Sequence, residues 1–214
     1  MYRIAEDMNL IKGARKLCSD CMKELEHLLK ADYDISSQIS LVGSAKRKLI
    51  TINGKNHSFD FDYNLKVYNG MSYDPFYLKE STHEVFRTVL TNHSINNVKI
   101  DYSTSSLTSN QIILWEYCNY NAPFRIDLAI ITERNGRIHR LIHNKERNEM
   151  IWNQAADISE LKRKEAILRK EHWQEVVDTY IKIKNYYIND KDNHPSFKCY
   201  IEAINKVFDK YYRK

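Results

Sequence analysis

Two carboxylates one residue apart, Asp60 and Asp62, lie in Ser58-Phe59-Asp60-Phe61-Asp62-Tyr63-Asn64-Leu65, with Gly43-Ser44 upstream. A third acid, Asp127, sits in the apolar run Phe124-Arg125-Ile126-Asp127-Leu128-Ala129-Ile130-Ile131. Acids of this kind suit a divalent cation that handles phosphates. Phe59, Phe61, Tyr63 and Leu65 alternate with Asp60, Asp62 and Asn64, the period of a strand with one buried face. Residues two apart on a strand point the same way, roughly 6–7 Å along it, so both aspartates leave one face while the aromatics enter the core. Arg125, Asp127 and Ala129 likewise share a face opposite Ile126, Leu128 and Ile130. If the two strands are neighbours at about 4.8 Å, the three carboxylates converge.

Such a cluster calls for a counter-charge. At an effective dielectric of about 20, acids roughly 5 Å apart repel by about 3 kcal/mol per pair. Mg²⁺ binds through one or two carboxylates plus substrate phosphates. Two such ions activate an attacking hydroxyl and stabilise a leaving pyrophosphate. Taken alone, an Asp-X-Asp is most often a pair of solvent-facing acids on an amphipathic strand. The added weight comes from Gly43-Ser44, which ends an expected strand, Gln38 to Val42. Glycine permits close backbone approach to an anion, and N–H groups at a helix start cradle phosphates. Lys46, Arg47 and Lys48 follow and supply positive charge. Arg125 shares the face of Asp127 and can neutralise carboxylates or meet a phosphate.

Strand–Gly-Ser, then Asp-X-Asp on a strand, then one Asp on a later strand resembles the DNA polymerase beta-like nucleotidyltransferase superfamily. Its members include poly(A) polymerases, tRNA CCA-adding enzymes, aminoglycoside nucleotidyltransferases, oligoadenylate synthases and bacterial cyclic-oligonucleotide synthases. The resemblance covers roughly Ile39 to Ile131 and points to a minimal or oligoadenylate-synthase-like bacterial member. It implies that Gly43 and Ser44 hold the triphosphate, with Lys46, Arg47 and Arg125 as further nucleotide-binding candidates. It also implies that Asp60 and Asp62 bind two ions, Mg²⁺ or Mn²⁺, and that Asp127 completes the nucleophile-activating site. The expected reaction moves a nucleoside monophosphate from a nucleoside triphosphate to an acceptor hydroxyl, releasing pyrophosphate. The acceptor, whether a small molecule, RNA or protein, is open, as are the donor base and the oligomeric state. Fifteen residues separate Ser44 from Asp60, longer than the family's usual gap. Asn53-Gly54 reads as a hairpin tip within that gap. The competing reading is a catalytically silent nucleotide-binding or toxin–antitoxin-type interaction protein on the same fold.

The elements that must position these residues form an α+β fold: a nucleotidyltransferase-like mixed sheet flanked by helices, with a C-terminal helical bundle. The expected division is a catalytic domain over 1–152 and a helical domain over 153–214. Met8, Ile11, Ala14, Leu17, Cys18, Cys21, Leu25 and Leu28 have helical spacing. A further helix is expected near Lys79 to Leu90, with strands at Asn97 to Ile100 and Gln111 to Tyr117. Phe124–Thr132 and Ile138–Ile142 form a hairpin on the turn Asn135-Gly136. Helices are expected over Ser159 to Lys170 and His172 to Ile188. After the break at 189–193, Ser196 caps a last helix through Tyr211, with an apolar stripe of Phe197, Tyr200, Ile201, Ile204, Val207, Phe208 and Tyr211.

The chain has 214 residues, 43% of them hydrophobic, and a net charge of +5, which permits a polyanionic acceptor without requiring one. No apolar run is long enough for a membrane span, and the first residues lack a leader's apolar segment. Cys18 and Cys21 read as core residues one helical turn apart, and the four cysteines as reduced thiols of a cytoplasmic protein. Tyr63, Tyr68, Tyr73 and Tyr77 read as packing rather than base-stacking residues. His139 and His143 share one face of the hairpin's second strand and read as surface residues, and His194 as organising an interhelical turn.

Overall fold

A computed structural model describes residues 1–5, 8–54, 59–95, 99–101, 105–109, 112, 123–189 and 194–213. In chain order the elements are β1 (Tyr2–Ile4), α1 (Met8–Tyr33), β2 (Ser37–Leu41), α2 (Gly43–Arg47), β3 (Thr51–Asn53), β4 (Phe59–Val67), α3 (Pro75–Asn92), β5 (Ile100–Asp101), β6 (Leu107–Ser109), β7 (Phe124–Arg134), β8 (Arg137–Asn144), β9 (Glu149–Gln154), α4 (Ser159–Glu171), α5 (Trp173–Tyr186) and α6 (Ser196–Tyr212). Short 3-10 turns occupy Gly70–Ser72 and Tyr187–Asn189. Most of the expected Asn97–Ile100 and Gln111–Tyr117 strands, together with Cys118, lies outside the described residues.

Two compact units result. One comprises Ala5–Ile50 and Asn56–Ala155; the other comprises Met1–Ile4, Thr51–Lys55 and Ala156–Lys214. The first is built on a seven-stranded sheet ordered β2-β4-β7-β6-β5, with β8 added to β7 and β9 to β8. Strands β4 and β7 are parallel, and the other pairings are antiparallel. The sheet is therefore mixed, as expected. Its core face carries Phe59, Phe61, Tyr63, Leu65 and Val67 of β4 and Phe124, Ile126, Leu128 and Ile130 of β7, all buried. The rings of Phe59, Phe61 and Phe124 meet at centroid distances of 5.5–5.9 Å, within the range of favourable aromatic pairs. Against this face lie α1, with Ala14, Cys18, Cys21, Leu25 and Leu29 fully buried, and α3, with Leu78, Phe86, Val89 and Leu90. Helix α3 begins one turn before the expected Lys79: Asp74 accepts from the Tyr77 N–H at 2.8 Å, and Pro75 occupies the first turn, where its missing N–H costs nothing.

Asn135-Gly136 forms the expected two-residue turn between β7 and β8. Both residues have positive φ, 52° and 72°, and Arg134 faces Arg137 across it, the combination that matches strand twist in a tight hairpin. Strand β9 was not expected from the sequence. Thr51–Asn53 pairs with β1; the residues that would close a hairpin on Asn53-Gly54, 55–58, lie outside the described residues.

In the second unit, α4, α5 and α6 pack together with the β1–β3 ribbon. Asn185 accepts from the Tyr2 N–H at 2.6 Å and donates to the Tyr2 carbonyl at 3.0 Å. Lys184, 8% exposed, donates to Thr51 Oγ1 at 2.7 Å. The cap of α6 is Pro195 rather than Ser196, and no side chain bonds there. Pro195 Cα precedes the helix in extended geometry (φ −62°, ψ 143°), so Ser196 already lies inside the first turn.

Candidate active site

The alternation of β4 puts Asp60 and Asp62 on the face opposite the core, Asp60 exposed and Asp62 half-buried. The same alternation in β7 leaves Arg125 exposed and Asp127 half-buried on that face. The strands are adjacent, parallel and in a register that pairs Asp62 with Asp127 and Asp60 with Arg125. The two inner acids are therefore side by side, about 4.8 Å apart between strands. Thr108 of β6 faces Asp127 from the other edge of β7.

On the far edge of β4 the chain leaves β2 with the Val42 N–H donating to the Asp62 carbonyl at 2.8 Å. Gly43 follows with φ +65°, and a Cβ placed on it would lie 2.0 Å from Asp62 Oδ2 and 2.8 Å from its Cγ. A side chain is excluded here twice, by backbone conformation and by the carboxylate. Gly43 opens α2, whose last turn carries Lys46, exposed, and Arg47, half-buried. The segment closes when Leu49 N–H donates to the Ser44 carbonyl at 2.9 Å. The sheet thus brings Gly43, Ser44 and Arg47 to one flank of the Asp62–Asp127 pair.

The electrostatics follow from this crowding. Burial first, then the charges of Asp127 and Asp60, push the Asp62 carboxyl up to about 6, partly offset by Arg47 and Arg140. Among the described residues Asp127 Oδ1 is buried without a hydrogen-bond partner, an arrangement that costs free energy unless something else supplies the contact. Asp60 shares the face of Asp62, and its charge reaches that carboxyl together with the charge of Asp127. Asp60 stands two register positions from Asp62, opposite Arg125, and among the described residues no three His, Cys, Asp or Glu side chains group as cation ligands. A magnesium-like ion needs only one or two carboxylates when phosphates complete its shell. The Asp62–Asp127 pair, with its orphaned oxygen and raised carboxyl, fits such an ion.

Arg140 escaped the sequence reading. It lies on β8 opposite Ile131 and reaches Ser106 Oγ with Nη2 at 2.5 Å. The Asn-Gly hairpin was the available signal, since it fixes which β8 residues share the face of Asp127. Of the residues expected to be bland, Tyr68 and Tyr77 are exposed rather than packed into the core. Cys18 and Cys21 are buried and free, and burial pushes the Cys21 thiol up to about 12. Tyr63 is in the core, and Tyr73 donates to the Asp34 carbonyl at 3.3 Å. His139 contacts the Arg137 carbonyl and His143 contacts Asn148. His194 stacks on Tyr187 at 4.0 Å and bonds Glu202 at 2.6 Å.

No protein-family profile matches the chain, and no curated protein matches it in sequence. Solved structures do. The Vibrio cholerae DncV cyclic AMP-GMP synthase, in complex with nonhydrolyzable GTP, superposes with a TM-score of 0.63 at 9% identity, covering 100% of this chain and 70% of that one. CdnC of E. coli MS115-1 with ATP gives 0.57 at 15% identity, over 94% of this chain and 60% of that one. The Elizabethkingia meningoseptica CdnE cyclic dinucleotide synthase with GTP and Apcpp gives 0.54 at 15%, over 87% and 68%. The chain therefore spans about 60% of the length of the CdnC chain. At these identities the likeness is one of architecture: the chain shares the fold of these nucleotide-bound structures.

Proposed function

We propose that the protein is a metal-dependent nucleotidyltransferase that moves a nucleoside monophosphate from a nucleoside triphosphate to an acceptor hydroxyl. The observation that carries this is the register pairing of Asp62 with Asp127 beside the bare backbone of Gly43. The nucleotide-bearing synthases of the same fold support it.

Asp62 and Asp127, with Asp60, would hold two Mg²⁺ or Mn²⁺ ions, which supply charge neutralisation for the attacking and leaving oxygens. Gly43 lets the backbone approach the triphosphate, Ser44 adds a hydroxyl, and Lys46 and Arg47 add charge on that flank. Arg125, opposite Asp60 and exposed, meets a phosphate oxygen. In the reaction the acceptor hydroxyl gives its proton to solvent and its oxygen bonds to the α-phosphorus. The bond from that phosphorus to the bridging oxygen breaks, and pyrophosphate leaves with the electron pair. Positioning and charge stabilisation supply most of the acceleration. Among the described residues no helix is long and apolar enough to cross a membrane. The free thiols of Cys18, Cys21 and Cys199 support a reducing, cytoplasmic setting.

The test is calorimetric titration of each nucleoside triphosphate, with and without Mg²⁺, on wild type and on D60A/D62A. Metal-dependent binding of at least one triphosphate, lost in the double variant, supports the assignment. A folded wild type that binds none of them overturns it in favour of a non-catalytic interaction protein.

A further inference from the structure

We propose that Arg140, set in place by Ser106, is a specificity-determining residue that binds a phosphate group on the acceptor. This rests on the nucleotidyl-transfer reading above and extends it to the acceptor, which that reading left open.

The argument begins with the two edges of β7. One edge is occupied by β4, from Phe59–Phe124 to Lys66–Ile131. The other is shared: β6 pairs at Leu128 and Asp127, and β8 pairs from Ile131 onward. Strand β2, which leads into Gly43 and Ser44, lies beyond β4. The carboxylate pair is therefore flanked on one side by α2 and on the other by β6 and β8. Arg140 belongs to the second flank.

Its side chain is brought close to the acids. By register Arg140 faces Ile131, four residues along β7 from Asp127, or roughly 13 Å at about 3.3 Å per residue. Ser106, however, is two residues before Thr108, and Thr108 is the cross-strand partner of Asp127. The hydrogen bond from Nη2 to Ser106 Oγ, at 2.5 Å, folds the guanidinium back along the strand toward Asp127. Its charge is felt at Asp62 as well. Arg140 remains exposed, and the bond to Ser106 is its one side-chain hydrogen bond among the described residues. A guanidinium anchored by one N–H presents its others as a planar fork suited to phosphate oxygens.

In-line phosphoryl transfer places the attacking and leaving oxygens on opposite sides of the reacting phosphorus. If the leaving pyrophosphate is held on the α2 flank, the acceptor enters from the β6–β8 flank, where Arg140 is. A neutral acceptor has no use for a cation held there, whereas a phosphorylated one gains a charge-assisted contact.

The test uses the full chain with Mg²⁺ and a nonhydrolysable triphosphate filling the donor position. Adenosine, guanosine, cytidine and uridine are titrated against their 5′- and 3′-monophosphates, on wild type, R140Q, R140K and S106A. Wild type should bind at least one monophosphate about 10-fold or more tighter than its nucleoside, the scale of a charge-assisted bond. R140Q should collapse that gap to about 3-fold or less, R140K should restore part of it, and S106A should fall between. Donor triphosphate affinity should change by less than about 3-fold across the four proteins, the small difference reflecting the Arg140 charge felt at Asp62. An undiminished gap in R140Q, no preference for monophosphates in wild type, or a loss in R140Q that falls on the donor instead would each overturn the assignment. A wild type that binds no triphosphate would sink the nucleotidyl-transfer reading itself, an outcome distinct from these.

Discussion

Asp62 is the residue on which local forces disagree most. Its carboxyl is held up to about 6 by burial and by Asp127 and Asp60, whereas an unfolded aspartate titrates near 3.9. Because the folded pKa is the higher one, the native state binds more protons between those values, and stability falls as pH rises through that window. Metal-free D62N should consequently melt higher than wild type at pH 7.5, and the advantage should vanish by about pH 3, below both pKa values. A thermal melt series in chelator reads this directly; a D62N protein less stable than wild type at neutral pH would refute the repulsion argument. The same substitution, like Asp127→Asn, should remove turnover by at least about 100-fold while leaving the fold intact. In the wild type, divalent-ion affinity should climb steeply between about pH 5 and 7 as Asp62 ionises. Gly43 makes the complementary case. Gly43→Ala places a methyl where Asp62 Oδ2 lies 2.0 Å away, at a φ of +65°. The expected cost is about 1–3 kcal/mol of stability with displacement of the carboxylate, so activity should fall further than stability does.

At the scale of elements, what could be read from sequence tracked how local the determining interactions are. The alternation around Asp60 and Asp62 and around Asp127 needs only neighbours two residues away, and both strands formed as expected. Asn135-Gly136 specifies its own hairpin because its backbone preferences match the turn. The side-by-side placement of β4 and β7 was a conditional expectation, and the pairing of Asp62 with Asp127 depended on it. Illegible were the features set by distant partners. Strand β3 has three residues, and its partner lies near the chain start. Strand β9 exists because β8 offers it an edge, and Arg140 meets Ser106 across 34 positions of sequence. Capping shows both outcomes: Asp74 holds the start of α3, a cap the sequence reading passed over, while Ser196 bonds nothing as a cap. Asp74→Ala should accordingly cost about 1 kcal/mol and Ser196→Ala less than about 0.5 kcal/mol, as read by chemical denaturation. Equal losses would mean that the helix starts are held by something other than their caps.

The molecule as a whole is divided against its own sequence. The helical unit takes in Met1–Ile4 and Thr51–Lys55 as well as the C-terminal residues, so its core is closed by two segments borrowed from the other end of the chain. The stitching is concentrated on α5. Asn185 makes two hydrogen bonds to the backbone of Tyr2, and Lys184 is buried between Thr51 Oγ1 at 2.7 Å and the ring of Tyr2, 4.0 Å from its centroid. A buried ammonium is tolerated only when such partners replace water. Deleting Met1–Ile4 would remove the ring, both Asn185 partners and the strand that pairs with β3. Residues 156–214 expressed alone should therefore lack a stable fold. In the full chain, Lys184→Ala should cost the helical unit about 2–4 kcal/mol, with Lys184→Met, which keeps the packing, costing less. Hydrogen exchange separates this from a global effect. Amides of α5 and α6 should lose protection in Lys184→Ala while those of β4 and β7, where Asp62 and Asp127 lie, hold theirs. Equal loss in both units would mean that they unfold as one cooperative body.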